Sequence, residues 1–87
     1  MKTIYSLIKI EEKKNIPTID VVCSFTLLIE AKVMLNELFN AELAEHWEGH
    51  EYDDYVEVTI RDTSRSIEDV NRGARFSLFI KENQLMK

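Results

Sequence analysis

The chain has 87 residues, 45% of them apolar and 31% charged, with a formal net charge of −5. This length and composition predict one globular domain, residues 1–87, and exclude a wholly disordered chain. The single cysteine, Cys23, cannot form an intramolecular disulfide, so we expect a reducing compartment, the cytosol of the host. No apolar run has the length of a membrane span, and we expect no membrane partner.

The N-terminal residues predict a β-hairpin. Residues 3–11 alternate, with one face carrying Ile4, Ile8 and Ile10 and the other carrying Tyr5, Leu7 and Lys9. Residues 19–25 alternate again, with an apolar face made of Ile19, Val21, Cys23 and Phe25. A charged turn at residues 12–15 separates the two runs, so an antiparallel pair is expected.

Residues 27–47 predict one long amphipathic helix. Apolar side chains recur on one arc of the helical wheel at Leu27, Leu28, Ala31, Met34, Leu35, Leu38 and Phe39. We expect Thr26 to cap the start and Gly49 to mark the end. Glu42 and His46 continue the apolar arc, and we expect both to be solvated where the helix overhangs the sheet. Ile29 and Val33 lie on the polar side, either as a second contact surface such as a dimer interface or as scattered surface residues.

The C-terminal half predicts two or three further strands. Val56, Val58 and Ile60 alternate with polar residues, and residues 63–73 predict a short edge strand that turns at residues 71–73. The last predicted strand, residues 74–81, directs Ala74, Phe76, Leu78 and Ile80 inward. Residues after Glu82 are expected to fray.

Together these elements predict an α+β fold. We expect a two-layer sandwich, in which one helix covers an antiparallel sheet of four to five strands in the order β-β-α-β-(β)-β. The uncovered face of the sheet would carry Tyr5, Leu7, Val22 and Phe79. Because this face is too apolar for free solvent, we predict a homodimer in preference to a recognition surface for another molecule.

The charges are unevenly distributed along the chain. No lysine or arginine lies between Lys32 and Arg61, whereas this interval contains eight carboxylates: Glu37, Glu42, Glu45, Glu48, Glu51, Asp53, Asp54 and Glu57. These residues are either simply solvated or form a docking surface for a basic protein partner. In the extreme case, this surface would mimic the phosphates of a nucleic acid. Divalent-cation binding is a further alternative. Direct nucleic-acid binding is disfavoured by the negative charge.

All four arginines follow this acidic interval, at Arg61, Arg65, Arg72 and Arg75. Guanidinium groups suit phosphate geometry, so these residues could form an anion site in a nucleotide-binding or small-ligand module. Asp62, Glu68 and Asp69 lie among them, which favours cross-strand salt bridges.

No catalytic motif is present. His46 and His50 are four residues apart, a spacing that metal ligands use on a helix, but Gly49 interrupts the turn and the HExxH pattern is absent. We therefore predict no metal site, with His46 and His50 as weak candidates, and no cofactor. A phosphate-binding glycine loop and a nucleophile elbow are also absent, and we expect a protein that is not an enzyme.

The segments CSF, LIEAKVMLNEL, YVEVTI and ARFSLFIKEN, in this order, resemble small accessory proteins of phages and mobile elements. Some proteins of that kind inhibit host defence machinery by acidic mimicry. These segments contain no motif that transfers a function, so the expectation of an inhibitor comes from the size and charge of the chain. From the residues and this resemblance, we expect a small acidic interaction protein whose surface from Glu37 to Glu57 contacts a basic partner.

Overall fold

A computed structural model describes residues 2–14, 16–47 and 55–85. It contains five strands and one helix: β1 (Lys2–Lys13), β2 (Ile16–Phe25), α1 (Leu28–His46), β3 (Val56–Ile60), β4 (Ser64–Asp69) and β5 (Ala74–Leu85). All neighbouring strands are antiparallel, and the sheet order is β2-β1-β5-β4-β3. The α+β fold with one helix on one antiparallel sheet is therefore confirmed.

The core lies between α1 and one face of the sheet. Ala31, Leu35 and Phe39 are the buried residues of the helix, and they recur at the i, i+4, i+8 spacing that forms one stripe. Phe39 stacks on Phe76 of β5, with ring centroids 6.5 Å apart. The remaining buried members of the core cluster are Leu7, Trp47, Ile67 and Leu78. Three central strands thus contribute to one apolar layer beneath the helix.

The predicted faces of β1 were reversed. Leu7 is fully buried in the core, and its opposed neighbour Ile80 packs against the same cluster. Because side chains alternate along a strand, Ile8 and Ile10 lie on the other face. Both faces of β1 are apolar, so alternation alone could not show which one the helix covers.

A β-bulge overturns the predicted face of β2. Leu7 is opposite Cys23, whereas Ile8 is opposite Val21, so Val22 is an extra residue on β2. A shift of one residue moves all following side chains to the other face. Cys23 therefore packs against the core, whereas Ile19 and Val21 are exposed on the side away from the helix.

The helix begins one residue later than predicted. Leu27, not Thr26, occupies the N-cap position, and no side chain caps it. The backbone N–H of Ala31 donates to the Leu27 carbonyl, and Trp47 is the C-cap. The predicted end at Gly49 lies outside the described residues. Within the described ranges, no helix combines the length and hydropathy needed to cross a membrane.

Two predictions for the C-terminal half were wrong. Residues 64–69 do form a strand, but β4 lies between β5 and β3, and the five-residue β3 is the edge. Ile67 explains this position, because it is fully buried under the helix. The predicted fraying after Glu82 is wrong for residues 83–85, since β5 continues to Leu85 and pairs with β1 as far as Lys2, and residues 86–87 lie outside the described residues. The predicted turn at residues 71–73 is confirmed, with Gly73 at a φ of 64°.

Candidate functional site

One end of the sheet gathers the charged groups that the sequence analysis selected only in part. The β1–β2 turn, the β4–β5 turn, the start of β3 and the last turn of α1 all lie at this end, which we call the acidic end. Its described carboxylates are Glu11, Glu12, Glu42, Glu45, Glu57, Glu68 and Asp69. Its described lysines and arginines are Lys13, Lys14, Arg72 and Arg75. Carboxylates therefore outnumber bases here.

The β4–β5 turn is organised by Asp69, which is buried. Its Oδ1 accepts hydrogen bonds from the backbone N–H groups of Asn71 (3.0 Å) and Arg72 (3.1 Å). Its Oδ2 lies 3.3 Å from Nε of Arg72. A buried carboxylate is costly unless such partners satisfy it, so Asp69 is a structural residue that also holds Arg72 in place.

A cavity of about 200 Å³ opens at the acidic end, between the end of α1 and the ends of β1 and β5. Its lining combines apolar and charged residues: Glu11, Glu12, Lys13, Glu42, His46, Trp47, Asp69, Arg72, Ala74, Arg75 and Phe76. Trp47 and Phe76 belong to the buried core cluster. The cavity is therefore the place where the core meets the charged end.

Glu42 is half-buried beside this cavity, so the prediction that it is solvated beyond the edge of the sheet was wrong. Burial raises the pKa of its carboxyl group, and the negative charges of Glu11 and Glu45 raise it further. The charge of His46 and a hydrogen bond with the Trp47 side chain oppose this rise. His46 itself is exposed, as predicted, and its Nε2 lies 3.7 Å from Oε2 of Glu45.

The face of the sheet away from α1, which we call the open face, has two unlike halves. Register places Ile8 opposite Val21 and Phe79, and Ile10 opposite Ile19 and Ser77. Opposed residues of antiparallel strands share a face, so β1, β2 and Phe79 form an apolar half. Ile4 continues this half towards the end opposite the acidic end.

The other half of the open face is polar. One row across the strands consists of Glu57, Glu68, Arg75 and Glu12, and the next contains Thr59, Ser66 and Ser77. Ser77 lies on the face that α1 does not cover, yet its Oγ is buried. This atom has no hydrogen-bond partner among the described residues. The side chains of this face are thus packed closely enough to bury a hydroxyl. At the far end, Lys2 and Lys81 share the open face.

The open face differs from its predicted composition. Phe79 lies there as predicted and is half-buried. Leu7, its opposed neighbours and Tyr5 lie on the covered face instead. Ile8, Ile10, Ile19 and Val21 supply the apolar surface instead. The signal that could have found them was the predicted alternation of β1, which already separated the isoleucines from Leu7.

The structure describes four of the eight predicted acidic-surface residues. Glu42 and Glu45 lie in the last turns of α1, Glu37 is exposed farther back on the helix, and Glu57 lies on the open face. The sheet separates Glu57 from the helical residues, so these four do not form one continuous patch. Glu48, Glu51, Asp53 and Asp54 lie outside the described residues. Sequence reasoning missed Glu11, Glu12, Glu68 and Asp69, because strand pairing, not proximity in sequence, brings them to this end.

The four arginines do not form one cluster. Arg61 and Arg65 lie at the end of β4 away from the acidic end, whereas Arg72 and Arg75 lie at the acidic end. Arg65 Nη1 donates to the Ser64 carbonyl, and Arg75 is opposite Glu68 and Glu12. An anion site that uses all four guanidinium groups is therefore not formed.

The structure describes only His46 of the two candidate metal ligands, since His50 lies outside the described residues. In the described part of the chain, no three His, Cys, Asp or Glu side chains are grouped to hold a metal ion. Cys23 lies in β2, where burial raises the pKa of its thiol.

The exposed pair Ile29 and Val33 lies on the outer side of α1. Together with Phe25, Met34 and Glu30, these residues line a shallow groove of about 300 Å³ near the start of the helix. This groove and the apolar half of the open face are the two candidate contact surfaces of the described structure.

No protein-family model, curated protein or solved structure matches this chain.

Proposed function

We propose that this chain is a non-enzymatic interaction protein that forms a homodimer and binds a basic protein partner at its acidic end. The observation that carries the proposal is the pairing, on one small fold, of an apolar open face with a charge-rich end. The first feature favours association with another protein surface. The second favours attraction and orientation of a partner of opposite charge.

The electrostatic part rests on the position of the carboxylates. Glu12, Glu57 and Glu68 reach this end from three different strands, and Glu42 and Glu45 reach it from the helix. Register places Glu57 directly opposite Glu68, an arrangement that is unfavourable in isolation. Glu57 and Glu68 lie on the open face, so in the dimer the second copy would face them, whereas the basic partner would meet Glu42 and Glu45. If the partner binds nucleic acid, the same carboxylates would compete with phosphates.

The dimer part rests on the size of the open face. β1 and β5 have 12 residues each, a length of about 40 Å. Five strands span about 20 Å across the sheet. Because β2, β3 and β4 are shorter, with 10, 5 and 6 residues, the face has about 600 Å², which is at the lower end of the area that each partner contributes to a standard stable interface.

A two-fold axis between the two sheets, running across the strands, would make this face complementary to itself. It places the apolar half of one copy, around Ile8 and Ile19, over the same half of the other. It also reverses strand direction, so Lys81 of the second copy approaches the row of Glu12, Arg75 and Glu68, where it lies over Arg75 and between the two carboxylates. Sheets pack face to face in this way at about 10 Å.

Two charge-reversal variants test the partner-binding part. The first changes Glu45, Glu48, Asp53 and Asp54 to lysine, which alters the acidic end and the sequence between Trp47 and Tyr55. The control changes Asp20, Glu30, Asp62 and Glu82 to lysine, which alters net charge equally at other positions. Binding of labelled protamine, a basic nucleic-acid-binding protein, is measured by fluorescence anisotropy between low and high salt, with circular dichroism to verify folding.

We expect the first variant to lose salt-sensitive binding and the control to retain more of it, because local charge and not net charge guides the partner. DNA should displace the wild-type protein from protamine. Equal loss in both variants, or binding indifferent to salt, would contradict the proposal.

A further inference from the structure

We propose that the cavity at the acidic end receives one positively charged side chain, an arginine or a lysine, of the basic partner. This inference rests on the proposed function, because it specifies how that partner is recognised. It adds a defined pocket to what would otherwise be attraction between surfaces.

The size of the cavity limits its occupant. At about 200 Å³ it is smaller than the pockets of 300–1,000 Å³ that hold drug-sized ligands. A nucleotide would not fit inside it, whereas a single long side chain would. A side chain presented by a protein partner also suits a site at the exposed end of a sheet.

Of the four carboxylates in the lining, that of Glu42 is the one available to this side chain, since Glu12 is opposite Arg75 across the strands. Asp69 is already bound to Arg72 and to two backbone N–H groups, and Glu11 Oε1 lies 3.3 Å from Lys9 Nζ. No salt bridge between described residues includes Glu42. A carboxylate has about four acceptor positions, so its interaction with Trp47 leaves positions for a guanidinium or ammonium group.

Two further features favour a cation here. The helix ends at Trp47, so the negative end of its dipole lies beside the cavity. Trp47 and Phe76 supply aromatic and apolar surface for the hydrocarbon stem of arginine or lysine. An exposed carboxylate on a flat surface would offer neither feature.

The lining also has basic residues, one of which is held in an ion pair, and the charge of His46 already acts on Glu42. Arg72 is paired with Asp69, and Arg75 is opposite Glu12 and Glu68 across the strands. Lys13 is exposed at the end of β1. These neighbours lower the net negative charge of the lining, so the half-buried position of Glu42 is what gives the site its selectivity.

Trp47 provides a direct reporter, because it is the only tryptophan of the chain and it lines the cavity. The intrinsic fluorescence is titrated with N-acetyl-arginine amide and with N-acetyl-lysine amide at constant ionic strength. N-acetyl-citrulline amide, similar in shape to the arginine compound but uncharged, serves as the matched ligand control. The variants are Glu42→Gln and, as a control at the exposed start of the same helix, Glu30→Gln.

We expect a saturable change with the arginine or lysine compound and none with the citrulline compound. Glu42→Gln should weaken this binding about tenfold or more, because it removes a charge-assisted hydrogen bond but keeps the side-chain shape. Glu30→Gln should bind within about twofold of wild type. Equal responses to the arginine and citrulline compounds, or an unchanged affinity in Glu42→Gln, would overturn the inference.

The same experiment separates this inference from the proposed function. If the titration fails but charge reversal abolishes protamine binding, the cation-binding cavity is overturned and partner binding at the acidic end is supported. A successful titration supports the cation pocket, and if protamine binding then survives charge reversal, the proposed use of the acidic end is overturned.

Discussion

The two faces of the sheet are built from the same strands but differ in the solvent exposure of their apolar side chains. On the covered face, Leu7, Ile67 and Leu78 are excluded from solvent by a single helix. On the open face, Ile19 and Val21 retain 68% and 65% of their exposure. A single helix cannot cover both faces, so the amphipathic alternation that builds one core leaves a second apolar surface. The difference shows that folding buries the apolar side chains of one face and leaves those of the other exposed, which is why we propose that a second copy covers them.

The largest expected effect comes from shortening a side chain in the core between α1 and the covered face. Leu35→Ala removes a fully buried side chain between helix and sheet, and such changes cost about 2–5 kcal/mol. A domain of this size has few kcal/mol to lose, so we expect a largely unfolded variant. Urea denaturation measures the effect. Val33→Ala on the exposed side of α1 should stay within about 0.5 kcal/mol of wild type, and a comparable loss there would show that the core assignment is wrong.

The next effect concerns the open face. Changing Ile19 and Val21 to lysine should raise the dimer dissociation constant about 100-fold or more, because two apolar contacts are lost and charges are buried. Native mass spectrometry at several protein concentrations measures the monomer fraction. The control changes Ile29 and Val33, which have similar exposure of 65% and 52%, to lysine. Dissociation of the control alone would assign dimerisation to the helix groove instead.

A smaller effect tests the symmetry of the proposed dimer. Lys81→Glu should weaken the dimer about threefold to fivefold, as expected for an exposed ion pair. A second change, Glu68→Lys, should restore it, because the axis across the strands brings the two positions together. Glu82→Lys, next to position 81 but on the other face, should not restore it. Sedimentation equilibrium distinguishes these cases, and equal rescue by both changes would argue against the proposed axis.

The smallest effect lies at the border of the covered face. The pKa of Glu42 is raised chiefly by burial, so the folded state binds its proton more tightly than the unfolded chain does. Its contribution to stability is therefore present below the unfolded pKa and is lost as pH rises through the folded pKa. Glu42→Gln should raise the thermal midpoint at pH 7 relative to wild type.

At pH 4 this advantage should shrink. Differential scanning calorimetry at both pH values measures the change, with Glu37→Gln, an exposed glutamate of the same helix, as the control. His46, Glu11, Glu45 and the Trp47 side chain all act on Glu42, so a pH-independent difference would mean that packing, not ionisation, dominates at this position.

The architecture was predictable because strong periodic signals are local. The 3.6-residue repeat from Ala31 to Phe39 and the alternation from Ala74 to Ile80 each depend only on neighbouring residues. The bulge at Val22 was not predictable, because an extra residue between two apolar ones leaves the composition of the strand unchanged. Likewise, nothing in residues 63–73 showed that β4 would be interior; that position depends on the pairing of Ile67 with Phe76.

The candidate site was predicted only where it is contiguous in sequence. Glu42 and Glu45 were selected by the absence of lysine and arginine around them. Glu11 reaches the cavity through the pairing of β1 with β5, which joins residues about 65 positions apart. Its role could not be read from local charge, and the same holds for the cavity, which combines three separate segments.

The pairing of β1 with β5 also bears on how the protein is made. The first and last strands of the fold are neighbours near the centre of the sheet, so β1 cannot complete its hydrogen bonding until β5 has left the ribosome. Until then, one side of a 12-residue strand is unpaired, and an unpaired strand edge is a template for aggregation. Because contacts so distant in sequence form slowly, we expect the nascent chain to depend on dilution or on chaperones during synthesis.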